Sequence, residues 1–350
     1  MSDPIDNSRT EANLERANLE RANLEKAILT EASLERANLE KAILREADLE
    51  KANLEKAILR EADLEKANLK ETNLKGANLE KANLKRANMA KAILIGANLK
   101  RANLEKAILK EANLKRVNLE NAILIEANLE RANLEKAILI EANLSRANLI
   151  KAILTEANLT RATLEGTDLE LANLVETNLT ETNFIGANLT KTDLDWATFK
   201  GASLMGANFA GADLIGSNLA KVDLTGANLI KANILEANLV ETILKGANLE
   251  GANLYRADLE RANLEGANLE GANCFRVNFK GANLEGANFD GNNLFRANFE
   301  GASLKGARNL SLDQLSKVET LHNAKLDEEL LISIKEKYPN LSELSKLQDL

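Results

Sequence analysis

Apolar residues recur along this chain with a period of five, unbroken from Glu11 to Ala307. Ala12-Asn13-Leu14-Glu15-Arg16 is followed by Ala17-Asn18-Leu19-Glu20-Arg21, and 59 such units run to the one centred on Leu304. The central place holds Leu, with Met89, Ile234, Cys274 and six Phe as exceptions. Two residues earlier stands Ala, or occasionally Thr, Val, Ser or Asn, and between them is usually Asn or Asp. Glu, Ala, Leu, Lys and Arg favour a helix. A step of five, however, turns successive Leu by about 140° on a helix of 3.6 residues per turn, which leaves no apolar stripe. A straight strand fails as well, because successive Leu would alternate between faces. An Asn in every unit further opposes a regular helix. A chain that bends once per unit satisfies the pattern, with Ala and Leu inward and three residues outward. Such units bury themselves by stacking.

The unit Ala-Asn/Asp-Leu-X-X resembles the pentapeptide-repeat family over residues 11–307. The resemblance implies an all-β solenoid, a right-handed quadrilateral parallel β-helix with four units per coil. At about 4.8 Å per stacked strand, about 15 coils make a rod about 70 Å long. Residues 1–10 read as a disordered polar lead, 11–307 as the β-helix and 308–350 as a C-terminal helical cap. No amphipathic helix precedes the first coil, so its strand edges are uncovered and open to fraying or to a second copy.

In the cap, Ser311-Leu312-Asp313-Gln314 has the capping-box pattern. It predicts a helix over 312–321, with Leu312, Leu315, Val318 and Leu321 on one side. His322-Asn323 reads as a break. Asp327 caps a second helix through Lys337, with Leu330, Leu331 and Ile334 on its apolar side, stopped before Tyr338-Pro339. Leu341, Leu344 and Leu347 predict a third turn or a dimer contact.

The outward places are charge-rich and nearly Gly-free in the first half, with only Gly76 and Gly96 before residue 160, and the last residue of the unit is often Gly from Gly166 to Gly306. Gly permits positive φ, and the family uses two turn types. The sequence therefore predicts a change of corner geometry along the chain, without functional meaning. Ile replaces Asn at Ile28, Ile43, Ile58, Ile93, Ile108, Ile123, Ile138 and Ile153, spaced by 15 with one interval of 35. On a 20-residue coil that spacing visits every face twice, so it is the trace of a 15-residue duplication and marks no stripe.

A spacing of 20 does mark one. Ile215, Leu235, Tyr255, Phe275 and Phe295 all follow the central residue and share a face, with Arg256, Arg276 and Arg296 beside the last three. Val175 and Trp196 extend that face. Aromatic residues with Arg are the enriched types at interaction hot spots. These residues form the candidate interaction face, for which self-stacking, coverage by the chain's own tail and pairing of two copies are the competing structural readings.

Net charge is -8, yet Glu alternates with Lys or Arg at the outward positions. Mixed charge of this kind is a solvated face, with no basic stripe for nucleic acid. The single Cys274, at a central place, reads as a buried apolar residue and suits a reducing compartment. The opening residues lack the pattern of a signal peptide and no apolar run spans a membrane, so the expectation is a cytoplasmic protein. His322 has no second imidazole or Cys to make a metal pair, and no phosphate loop occurs. The chain therefore reads as a non-enzyme with no cofactor and no small-molecule substrate. Its expected role is a scaffold for a protein partner or homodimer. The alternative comes from the resemblance: some family members mimic a DNA duplex and bind DNA gyrase, shielding it from inhibitors. Here bases nearly balance acids, and Asn mostly stands where Asp would add charge.

Overall fold

The computed structural model describes residues 12–338, so the lead, Pro339 and the predicted third turn lie outside the described residues. Two compact units divide the chain, Met1–Ile138 and Leu139–Leu350. Both obey one backbone rule. The residue before each centre makes a parallel bridge to the residue 20 positions on, Asn13 to Ser33 in the first unit and Asn143 to Thr163 in the second. Each five-residue unit thus pairs with the fourth one after it.

Where Asn or Asp precedes the centre, the rule offers each N–H position of the unit a partner. Leu14 N donates to Ser33 O (2.7 Å), Arg16 N to Glu35 O (2.9 Å), Ala17 N to Leu14 O (3.1 Å) and Asn38 N to Ala17 O (2.9 Å). The fifth donor, Glu15 N, is taken by the Asn13 side-chain Oδ1 (3.1 Å). This is why Asn or Asp dominates that place: without it one amide per unit has no partner within the chain. The same amides also form ladders, as where Asn73 Nδ2 donates to Asn53 Oδ1 (3.0 Å).

Inward Ala and Leu are buried from the second coil onward, Leu34 through Phe299 at 0–2% exposure where Leu or Phe is central. At about 1.5–3 kcal/mol per Leu-sized side chain, these columns are the main source of stability. Inward Thr residues are satisfied too, Thr167 Oγ1 donating to Leu144 O (2.9 Å). Cys274 is buried as expected, and burial pushes its thiol up to about 12. Inward Asn292 donates to Leu269 O (2.8 Å), while its Oδ1 is buried without a partner.

The corner expectation is corrected. All 59 corner residues, from Arg16 to Gly306, have φ between 53° and 70° whether they are Lys, Arg, Glu or Gly. Positive φ at the third residue of a bonded four-residue turn is the type II pattern. The hydrogen-bonded rule imposes it, so the shift to Gly changes the strain at the corner and leaves its geometry alone.

The tail is corrected as well. Helix α1 spans only Leu312–Leu315, with the Ser311–Gln314 capping box formed, and α2 spans Glu328–Lys337. Between them the chain returns to β pairing: Thr320 bridges Asn298 and Lys325 bridges Ser303, now 22 residues apart. Glu319 N donates to Ala297 O and Thr320 O accepts from Phe299 N, so two residues share one place as a bulge. His322-Asn323 is a further corner, with Asn323 at φ 57°. Val318 and Leu321 are buried in this return, which gives their backbone the partners of an open sheet edge. Asp327 does not cap α2 with its side chain; its carboxylate accepts from Gly306 N instead (3.0 Å).

Candidate interaction face

The column is assembled by the same rungs that build the second unit. Gly216 N donates to Leu235 O, Glu236 N to Tyr255 O, Arg256 N to Phe275 O and Arg276 N to Phe295 O, all at 2.9–3.0 Å. Alongside, Asn273 Nδ2 donates to Asn253 Oδ1 (3.0 Å) and Asn293 Nδ2 to Asn273 Oδ1 (3.3 Å). The Oδ1 atoms of Asn253, Asn273 and Asn293 each accept the N–H of the aromatic residue two positions on. Each ring thus grows from backbone held on both sides.

Tyr255 and Phe275 stack at 5.3 Å between centroids and 7° between planes, Phe275 and Phe295 at 5.4 Å and 18°. Such pairs are worth about 0.5–1.5 kcal/mol beyond their area. Ile215, Leu235, Tyr255 and Phe275 are half-buried by their neighbours, while Phe295 at the end is 42% exposed. The Arg256, Arg276 and Arg296 guanidinium carbons lie 5.2, 5.6 and 5.7 Å from the ring centroids of their own units. Arg256 is also held by Glu236 (3.1 Å). Among the described residues Arg276 and Arg296 have no carboxylate partner.

Trp196 stands apart from the column. The row of Ile215 to Phe295 is preceded by Asp195, and Trp196 heads the corner row that continues through Gly216 and Glu236 to the three Arg. Its indole, 59% exposed, lies over Gly216, where an added Cβ would come within 2.5 Å of the ring. Asp195 accepts from Ile215 N (2.9 Å), and burial pushes its carboxyl above the usual range.

Two neighbours of the column lie outside the set picked from the sequence. The row Glu250, Glu270 and Asp290 runs behind the corners Gly251, Gly271 and Gly291, and a spacing of 20 would have found it. At the other end Arg296 N donates to Lys317 O (2.8 Å), so Lys317 is the next rung. There Phe295, Arg276 and Arg296 face Lys317, Val318 and Glu319 across an open cleft of about 630 Å³. The 22-residue offset hides that contact from periodicity. Among the described residues, no group of His, Cys, Asp and Glu is arranged to hold a metal ion, and no helix is long and apolar enough to cross a membrane.

A family model described as pentapeptide repeats (8 copies) matches overlapping or abutting stretches from residue 10 to residue 308. The chain belongs to the pentapeptide-repeat family. Among solved members is HetL, involved in heterocyst differentiation regulation in the cyanobacterium Nostoc. It is 34% identical over 68% of this chain and 89% of its own, with a TM-score of 0.20. Rfr23 from the cyanobacterium Cyanothece is 28% identical over 44% and 91%, with a TM-score of 0.23. Full-length QnrB1, a plasmid-mediated fluoroquinolone resistance protein, is 20% identical over 57% and 96%, with a TM-score of 0.25. No curated protein matches. In this pentapeptide-repeat protein the unit repeats everywhere, and the aromatic–Arg column belongs to the second half alone.

Proposed function

We propose that this protein is a non-catalytic interaction scaffold that presents the column from Ile215 to Phe295 to a protein partner or a second copy. The reading takes residues 11–307 as a right-handed four-sided helix, supported by the 20-residue pairing in each unit. It takes the segment after Ala307 as the cap, supported by the Gln314 Nε2 bonds to Phe289 O and Asn292 O. It puts the scaffold in the cytoplasm, since buried Cys274 needs no oxidising compartment.

One observation carries the reading. Tyr255, Phe275 and Phe295 stack into an apolar column on the outer surface, and beside it Arg276 and Arg296 stand without an ion-pair partner among the described residues. Unpaired Arg next to aromatic edges is the composition of a hot spot. Light scattering of the wild type and of Phe275→Glu, with circular dichroism as the folding control, tests it. A wild-type dimer that becomes a folded monomer makes the column a self-association face. Two monomers leave it for a foreign partner. Identical dimers in both proteins would remove the column from self-association.

The duplex-mimic reading draws less support. Outward Glu residues are neutralised by bases 20 positions away, as in Lys85–Glu105 (2.8 Å) and Lys115–Glu135 (2.7 Å). A DNA gyrase supercoiling assay is expected to show neither inhibition nor protection, and either effect would reinstate mimicry.

A further inference from the structure

The aromatic column has a pitch, and the pitch selects an occupant. Neighbouring ring centroids lie 5.3 and 5.4 Å apart on strands that repeat at about 4.8 Å, so the advance of one α-helical turn, about 5.4 Å, stays within about 0.6 Å of each rung. An extended chain presents a side chain to one face only every second residue, about 6.6 Å, and drifts by more than 1 Å per rung. Single-stranded nucleic acid binds by stacking its bases on exposed aromatic faces. Its bases would find no platform here, because the rings lie face to face at 7° and 18° and spend their faces on one another. Only their edges point outward.

Both margins of the column are charged, with opposite sign. Arg256, Arg276 and Arg296 line one margin. Glu250, Glu270 and Asp290 line the other, across the Asn253, Asn273 and Asn293 ladder and behind the corners Gly251, Gly271 and Gly291. At Gly271 an added Cβ would meet nothing within 4 Å. Among the described residues Arg276, Arg296, Glu250 and Asp290 have no ion-pair partner, so a visitor need not break existing pairs at those four.

We infer that the column receives an amphipathic α-helix of a partner protein, lying along the column with one helical turn per rung. Its apolar stripe rests on Leu235, Tyr255, Phe275 and Phe295. An acidic row meets the Arg margin and a basic row meets the Glu250–Asp290 margin. On a helix, side chains three or four apart recur at about 5–6 Å on one face, so each rung meets one apolar residue and one charge from each row. An extended segment alternates its side chains between two faces and cannot serve the floor and both margins at every rung. The cleft beyond Phe295, walled by Lys317 and Glu319, marks where the helix ends. This inference rests on the scaffold reading and names the partner's chemistry.

The test uses the full chain and synthetic peptides of about 18 residues, five helical turns. The first is side-chain-stapled, with a Leu stripe between a Glu row and a Lys row. The second has Lys in both rows. The third carries the first sequence broken by two central prolines. Fluorescence anisotropy is expected to show the wild type binding the first peptide at least tenfold tighter than the other two. Phe275→Glu should lose that binding at least tenfold while keeping its circular dichroism. Arg276→Glu with Arg296→Glu should reverse the preference towards the all-Lys peptide, which a merely unfolded variant would not do. Equal binding of the stapled and proline-broken peptides, or no binding by any of the three, overturns the inference. If the peptides fail but Phe275→Glu changes the solution mass, the scaffold reading stands without the helix. If neither responds, the helix inference falls and the column is left to a foreign partner of another chemistry.

Discussion

Residues 12–138 and 139–338 share a hydrogen-bond rule and a corner φ, yet they differ in what they hang on that frame. In the first unit the corners are mostly Lys, Arg and Glu. Its outward rows are laced by ion pairs between coils, such as Arg60–Glu40 (2.9 Å), Lys70–Glu50 (2.9 Å) and Lys100–Glu120 (2.9 Å). In the second unit Gly takes many of the corners, Phe enters the core, and one outward row turns aromatic. The contrast shows that the fold asks only for Ala, Asn and Leu. The other two places are free, so both halves lace charges between coils, as in Lys245–Glu265 and Lys280–Glu300 of the second, and only the second also grows an aromatic row.

The sharpest way to break that comparison is in the core. Phe279, stacked on Phe299 at 5.1 Å, and Leu99 occupy the same column place in the two units. Phe279→Ala is expected to cost about 3–5 kcal/mol and Leu99→Ala about 2–5 kcal/mol. Urea unfolding with hydrogen exchange to localise the loss measures both. Exchange that rises equally in both units for either variant would mean that the halves do not differ in cohesion.

At the corners the effects are smaller and opposite in sign. Gly271→Ala puts a side chain at φ 62° and should destabilise by about 1 kcal/mol, whereas Arg101→Gly relieves φ 58° and should stabilise by up to a similar amount. Gly216→Ala adds a second cost, because the new methyl collides with Trp196. Its indole fluorescence should shift to the red, and an unchanged spectrum would place the ring elsewhere.

Acid gives the smallest effect, and its sign separates the halves. Hydrogen bonds from Arg60, Lys70, Lys56, Lys85 and Lys115 hold the carboxyls of Glu40, Glu50, Glu55, Glu105 and Glu135 below the usual range. All five lie in the first unit. Their contribution is present above the unfolded pKa and is lost as pH falls through the folded one. Asp195, raised by burial, works the other way: its contribution is present at low pH and is lost as pH rises through its folded pKa. Hydrogen exchange at pH 6 and pH 3, corrected for intrinsic rates, should therefore loosen peptides from residues 30–138 first. Loosening of the second unit first would refute the ion-pair account.

Much of this was legible in the sequence because the period of five acts on every residue alike. The inward columns, the 20-residue face and the Tyr255–Phe275–Phe295 row follow from counting. Corner geometry was not, since composition suggested two turns where backbone bonding permits one. The tail was not either. Ser311 to Leu321 has a good helical pattern, but an open β edge competes for the same backbone, and it holds all but Leu312–Leu315 of the α1 region. The acidic row at Glu250 shares the 20-residue spacing, but Glu fills outward places on every face, so composition does not single it out.

The independence of core and surface has a consequence for how such arrays grow. Every fifth residue points inward whatever its number, but only every twentieth shares an outer face. Losing five residues between Leu235 and Tyr255 would leave each Leu in the core and carry the three rings a quarter turn away from Ile215. Losing twenty would shorten the column without turning it. Inheritance can therefore lengthen the protein in steps of five at little cost to folding, while anything that recognises its surface reads a coarser alphabet of twenty.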